Sequence, residues 1–352
     1  MQLVRGGDYA VQVRERTSTF INDVQNMRAA AGPGSIGLVF VSAVAKIKEV
    51  CDLLDEAKMT YVTHHPGIDH GAREQSHLAL ASGSATLCVA SGDYGMGMHL
   101  PRCSFVVHYD LPTSMNLYAQ QIGRAGRDGT PAACLLLYSV ADLNNHISAL
   151  AASSAGQGSF DQFADDRSAL YTVLQFAMDP ATCRHGLVVS SYFGQDERCG
   201  SHLSTNGCCD NCRSPAPKSV ADWSFERAAV IKFVSSLPPD NKVNRLRATE
   251  ILRGLQSLRD SWDDNPQFGA CMHMSAVDLT RLLTWMCLQG DLREELFRTL
   301  ETTRSQKPMR QFRLQCAVHV SSSVKKPHFA VRAHGTGRTA ILPPNLVAAP
   351  LN

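Results

Sequence analysis

Four short apolar runs limit what this chain can become: GLVFVS at 37–42, TLCVAS at 86–91, FVVHYD at 105–110 and CLLLYS at 134–139. Each is β-rich and apolar almost throughout, the pattern of a strand buried on both faces rather than one. Amphipathic helical stretches lie between them, the clearest being AVAKIKEVCDLLDEAK at 43–58. Such alternation predicts an α/β unit built on a parallel sheet with helices on both sides. Ligands of these sheets gather beyond the carboxyl ends of the strands. The segments after Ser42, Ser91 and Asp110 are therefore where chemistry is expected.

At 352 residues there is room for two or three modules of about 100 to 200 residues each. The net charge of +2 excludes little, but its distribution is uneven. After Glu301 there is no acidic residue, while Arg304, Lys307, Arg310, Arg313, Lys325, Lys326, Arg332 and Arg338 follow. That asymmetry suits a polyanionic partner. No run approaches the ~18 apolar residues of a membrane span, and the opening MQLVRGGDYA does not resemble a signal peptide, so an intracellular protein with no membrane partner is expected. Of twelve cysteines, five fall between Cys183 and Cys212. In a reducing compartment that clustering points to metal rather than disulfides.

A motif rich in glycine and arginine, QQIGRAGRDG, stands at 120–129. Gln120, Arg124 and Arg127 are spaced four and three apart, which predicts one shared helix face, and Gly123 and Gly126 leave bare backbone beside them. Planar, permanently charged guanidiniums on one face suit a polyphosphate; two solvated arginines are the plain alternative. After the second apolar run comes GDYGMGMHLP at 92–101, where Gly95 and Gly97, next to Asp93, would let the backbone approach a phosphate.

Further along, Cys209 and Cys212 form a C-x-x-C knuckle, with Cys183 and Cys199 completing a four-thiolate set for a closed, structural zinc ion. Cys208 in place of Cys209, or His185 or His202 as a ligand, are the alternatives. From Trp223 the pattern is helix, helix, loop, helix, with Ser275 capping the last and Gly290 stopping it, and then two strand-like runs around the basic turn TTRSQKPM. Three helices and a hairpin predict a winged helix, whose candidate DNA contacts are Arg281, Arg304, Lys307 and Arg310.

These pieces share one resemblance. LPTSMNLYAQQIGRAGRDGTPAACLLLYS at 111–139 resembles motif VI of superfamily 2 helicases, and most of all the RecQ family, although Gln121 and Ile122 stand where that family usually has Glu and Thr or Ser. VASGDYGMGMHLP resembles the RecQ motif V, with Asp93 in place of a small apolar residue; HHPGI at 64–68 and Arg73 resemble its His-x-Gly turn and following arginine. Cys183-Arg184, YFG at 192–194 and CDNC at 209–212 stand in the order of the RecQ zinc module. LRGLQS and PQFGA look like its winged helix, and VSSSVKKPHFAV like the Bloom-type branch.

The resemblance implies an α/β RecA-like second helicase lobe followed by a small zinc-binding module and a winged-helix domain. The boundaries expected are 1–35 for the end of an upstream lobe, 36–150 for the second lobe, 151–166 for a connector, 167–217 for the zinc module, 218–334 for the winged helix and 335–352 for a tail. It further implies ATP-dependent 3′ to 5′ unwinding of DNA, with Arg127 as arginine finger, Arg124 beside it and Gln120 opening the motif. Duplex, forked or single-stranded DNA and repair or recombination proteins would be the partners. The work would be done in the nucleus, or in the cytoplasm of a prokaryote. ATP and Mg²⁺ would be shared with a first lobe, because the sequence contains no Gly-Lys pair and hence no GxxxxGK[ST] loop, and its Asp55-Glu56 pair sits late in a helical stretch. The rival is a non-catalytic DNA-binding protein that keeps the lobe as scaffold.

Overall fold

All four apolar runs are strands, and two more join them in one sheet. β1 (Tyr9–Glu15), β2 (Ile36–Val41), β3 (Val62–His64), β4 (Leu87–Ser91), β5 (Cys103–His108) and β6 (Ala132–Tyr138) lie in the order β1-β6-β5-β2-β4-β3. Every pairing is parallel. β2 and β4 are buried at every position, as runs covered on both faces must be. Helices α1 (Phe20–Ala31), α2 (Val44–Glu56), α3 (His70–Ser82) and α4 (Met115–Ile122) make the crossovers. One core layer joins Phe20 and Val24 of α1 and Ile47, Val50 and Leu54 of α2 to Val39, Val41, Val89 and Val107 of the strands. On the alternate set of strand positions Phe40 stacks on His108, which in turn meets Tyr118 of α4. Gly37 lets β2 approach β5, since a Cβ there would run into the Phe105 ring.

The computed structural model describes residues 9–16, 18–92, 102–154, 160–179, 182–193, 209–213, 219–238, 243–299, 309–316, 328–334 and 337–341. Its contacts divide the chain into two units, residues 1–146 with 168–177 and 181–215, and residues 147–167, 178–180 and 216–352. Three expected boundaries change. The segment expected to end an upstream lobe supplies β1, which pairs with β6 from Tyr9↔Ala132 to Glu15↔Tyr138, and α1, whose Phe20 and Val24 sit in the core. The expected connector 151–166 is partly helical: α5 (Val140–Ser154) runs into it and α6 (Phe160–Met178) begins in it. Its alanines, poor loop formers, extend a helix at little conformational cost. The expected tail includes a strand. α7 (Arg184–Phe193) and α8 (Asp210–Arg213) complete the first unit's helices among the described residues.

In the second unit β7 (Ser219–Asp222) precedes α9 (Ser224–Ser236), α10 (Arg245–Leu252), α11 (Arg259–Trp262) and α12 (Ala276–Gln289). The hairpin of β8 (Leu292–Thr299) and β9 (Met309–Cys316) follows. β10 (His328–His334) then pairs antiparallel with both β7 and β11 (Gly337–Ile341), so the expected tail residues 337–341 lie in a sheet. Ser275 caps α12 by accepting from the Asp278 N–H at 3.0 Å, and Gly290 ends it at φ 77°. α10 and α12 are stitched by Arg245 Nη1 donating to Thr284 Oγ1 at 2.8 Å and by the Thr249–Thr280 hydroxyl pair at 3.3 Å. Arg227 of α9 holds Asp291 at the root of β8 through two bonds of 2.8 and 2.6 Å.

Candidate functional site: an arginine turn and a cysteine knuckle

α4 starts where the Ser114 hydroxyl accepts from the Leu117 N–H at 3.1 Å, and it stops at Ile122. Gln120, Arg124 and Arg127 therefore do not share a helix face. Residues 123–128 are successive turns, with the Arg124 N–H on the Gln121 carbonyl, the Ala125 N–H on the Ile122 carbonyl and the Gly126 N–H on the Cys103 carbonyl at the root of β5. Gly126 has φ 65°, the left-handed conformation that a side chain disfavours, in the turn that brings its N–H to Cys103. Gln120 is exposed, whereas Gln121 is buried.

The two arginines differ as well. Arg127 is exposed and donates from Nε to the Gly123 carbonyl at 2.8 Å. Arg124 is 7% exposed, and its Nε has no hydrogen-bond partner among the described residues. Burial, then the like charge of Arg127, pull its proton affinity down. A guanidinium stays charged regardless, so Arg124 is a nearly buried positive charge with one N–H unsatisfied among the described residues. An external anion would relieve it.

Asp93, Gly95 and Gly97 lie outside the described residues, directly after Gly92. The Asp55-Glu56 pair is exposed at the end of α2, where Asp55 accepts from the Tyr61 hydroxyl at 3.1 Å. That is a solvated helix face. His65 closes the turn after β3 by accepting from the Gly67 N–H at 3.2 Å, and Arg73 of α3 donates to the Pro66 carbonyl at 2.7 Å.

A buried charge network at the carboxyl edge of the sheet was not foreseen. Asp110, after β5, accepts from the N–H and hydroxyl of Ser42, after β2, at 2.8 and 2.6 Å. Lys46 of α2 lies 3.3 Å from Asp110 and 3.2 Å from Asp142 of α5, and Arg16, after β1, bonds both Asp142 and the Tyr109 carbonyl. Burial pushes the Asp110 carboxyl up, against the Ser42 hydroxyl and Lys46, which hold it down. Two carboxylates and two cations from separate segments carry no local pattern. Only the strand-end rule pointed here, through Ser42 and Asp110.

The knuckle is more closed. The sulfurs of Cys183, Cys209 and Cys212 lie within 4.8 Å of one another; Cys199 and Cys208 are outside the described residues. Cys209 Sγ accepts from the N–H groups of Arg184 and Cys212, both at 3.4 Å. A shared hydrogen bond with Cys183, and then burial, push the Cys209 thiol up to about 12. A divalent ion would displace the thiol protons on binding. Three converging sulfurs with N–H donors aimed at one of them fit a thiolate-bound zinc.

Arg184 anchors the knuckle. It is 3% exposed, bonds Asp210 at 3.1 and 3.3 Å, and also donates to the Phe176 carbonyl. Asp210 in turn accepts from the Val13 N–H at 3.4 Å, and Cys209 makes a parallel bridge with Val11. The knuckle thus covers the outer edge of β1, satisfying backbone groups that an edge strand leaves open.

Of the candidate DNA contacts, Arg304 and Lys307 lie outside the described residues, and Arg310 is in β9. Arg281 is corrected: it is 3% exposed and bonded to Asp278 at 3.0 Å, a buried residue of α12 rather than one offered to phosphate. Position 281 falls on the same side of α12 as Thr284, toward α10, and the sequence marks that side only by its neighbours.

The helicase conserved C-terminal domain family matches residues 21–129, which take in α1, β2 to β5, α4 and the arginine turn. The chain is 27% identical over 231 residues to the ATP-dependent DNA helicase hus2/rqh1 of Schizosaccharomyces pombe, covering 64% of this chain and 17% of that protein. It is 25% identical over 289 residues to the RecQ-like DNA helicase blm-1 of Caenorhabditis elegans, covering 79% and 28%. To the ATP-dependent DNA helicase RecQ of Pasteurella multocida it is 30% identical over 233 residues, covering 65% and 34%. The chain carries the C-terminal domain of a RecQ-family helicase. The parallel sheet with its arginine turn is accordingly the RecA-like C-terminal lobe. The chain spans about a third or less of the length of these RecQ relatives. Among the described residues no helix is long and apolar enough to cross a membrane.

Proposed function

We propose that the chain is part of an ATP-dependent DNA helicase that unwinds duplex DNA 3′ to 5′, in the nucleus of a eukaryote or the cytoplasm of a prokaryote. The observation that carries this is the arginine turn, where a nearly buried Arg124, with no carboxylate partner among the described residues, sits within electrostatic reach of an exposed Arg127. Arg127 acts as the arginine finger on Mg²⁺-ATP, Arg124 stabilises the same phosphoryl group and Gln120 opens the motif. The segment with Asp93, Gly95 and Gly97 relays the nucleotide state. The phosphate loop comes from a first lobe, since this sequence has no Gly-Lys pair. Joined to such a lobe, Arg127→Ala should lower kcat by ~10³-fold. Unchanged turnover in that variant would remove the assignment. The rival, a DNA-binding scaffold, has the missing Gly-Lys pair in its favour and predicts no ATP turnover even after joining.

Cys183, Cys199, Cys209 and Cys212 hold one structural zinc. Cys209→Ala should lose the metal and Cys208→Ala should keep it; equal zinc contents would shift the register. α9 to α12 with the β8–β9 hairpin act as a winged helix on duplex or forked DNA, with Arg304, Lys307 and Arg310 on the wing. Charge reversal at Lys307 and Arg310 should weaken binding at all sequences alike and lower the salt slope by about one per lost contact. If heparin competes as well as a fork does, this role goes. Repair or recombination proteins are the partners this activity would need.

A further inference from the structure

Gln121 occupies the position where the RecQ family usually has Glu, and it is 5% exposed. Its side chain touches two groups from different strands. Oε1 lies 2.9 Å from Nε2 of His108, the last residue of β5, and Nε2 lies 3.1 Å from the carbonyl oxygen of Gly92, just past the end of β4. Its own backbone carbonyl accepts from the Arg124 N–H at 3.1 Å. One residue thus meets the end of β4, the end of β5 and the first turn of the arginine segment.

The chemistry leaves a single assignment. A carbonyl oxygen can only accept, so the amide nitrogen of Gln121 must face Gly92. That turns Oε1 to His108, whose Nε2 must then carry the hydrogen. His108 Nδ1 is left as a bare acceptor, and it has no partner among the described residues. The ring is 1% exposed between Phe40 and Tyr118, and burial, against the bond it donates to Gln121, holds it down at about 4. A neutral imidazole of one fixed tautomer results. A glutamate in the same place would accept from His108 equally well but would set a carboxylate oxygen against the Gly92 carbonyl, two acceptors facing each other.

We propose that Gln121 is a positioning residue that ties the arginine turn to the end of β4 by holding His108 and the Gly92 carbonyl at once, a task that only an amide performs. Glutamate, for all its similarity of shape, is not a conservative replacement here. The use of this tie in catalysis rests on the ATP-site reading above, in which the segment after Gly92 and the arginines act together; the tie itself does not.

The test uses the full 352-residue chain, labelled with ¹³C at glycine carbonyls and ¹⁵N in histidine rings and arginine side chains, in wild type, Gln121→Glu and Gln121→Met. In the wild type, His108 should carry its proton on Nε2 and remain neutral across neutral pH. Both variants should move the Gly92 carbonyl to the shift of one that has lost its donor and should move the Arg124 Nε signal, while the Gly37 carbonyl inside β2 stays in place as reference. In Gln121→Glu the His108 bond should survive. Should Gln121→Met fail to fold, Gln121→Glu decides alone. A Gly92 carbonyl unmoved by the substitution, or a wild-type His108 protonated on Nδ1, overturns the proposal. No nucleotide enters these measurements, so an inactive ATP site would leave them unaffected, and a failed tie would leave the Arg127→Ala kinetics standing.

Discussion

The arginine turn and the cysteine knuckle are both clusters of polar donors and acceptors in the sheet unit, yet they are finished in opposite ways. At the knuckle the chain satisfies itself: Arg184 finds Asp210, Asp210 finds Val13, and Cys209 receives two N–H donors. At the turn the chain stops short, leaving Arg124 nearly buried, its Nε without a partner among the described residues and a like charge beside it. A self-satisfied cluster serves the fold. An unsatisfied one is held by the fold for something else, because uncompensated buried charge persists only where the surrounding structure outweighs it.

That contrast can be broken by stability measurements. The largest effect should come from stripping metal: a chelator should unfold the knuckle and release protection of the β1 amides at Val11 and Val13, while amides of the arginine turn keep theirs in hydrogen exchange. Equal loss in both regions would mean that they are one cooperative body and the contrast is empty. Next, Arg184→Ala removes one partner of a buried ion pair and should cost about 3 to 5 kcal/mol in denaturant titrations. Arg127→Ala, at an exposed position, should stay within about 0.5 kcal/mol of wild type. If the two arginines cost the same, Arg127 is structural and its proposed role falls. The smallest effect sharpens rather than breaks the picture: Ser114→Ala should cost about 1 kcal/mol by uncapping the helix that leads into the turn.

The sequence made the sheet legible because runs such as Leu38 to Val41 and Leu87 to Ala90 are apolar at every position, which few folds tolerate. It made Cys209 and Cys212 legible because ligand spacing is local. Other features depend on partners far along the chain. YAVQVRE looks like an isolated strand until its partner AACLLLY is known to lie beside it. Gln120 and Gln121 are neighbours of equal composition, and only the packing of α4 decides that the second is buried against His108 and the first faces water. The helix face expected for Gln120, Arg124 and Arg127 does not form, because Gly123 and Gly126 favour leaving a helix and outweigh the i, i+4, i+7 spacing.

The register of β1 against β6 has a consequence for synthesis. Tyr9 pairs with Ala132, 123 residues later. At roughly 5 to 20 residues per second, the first strand waits roughly 6 to 25 seconds for its neighbour to be made. Cys209 and Asp210, which cover its other edge, are made later still. For that interval the nascent chain carries YAVQVRE as a bare strand with both edges open, a template for any other unpaired strand it meets. Arg14 and Glu15 near its end are the charges that discourage such pairing, and their replacement by apolar residues should be felt first as aggregation during expression, before any loss of stability in the finished fold.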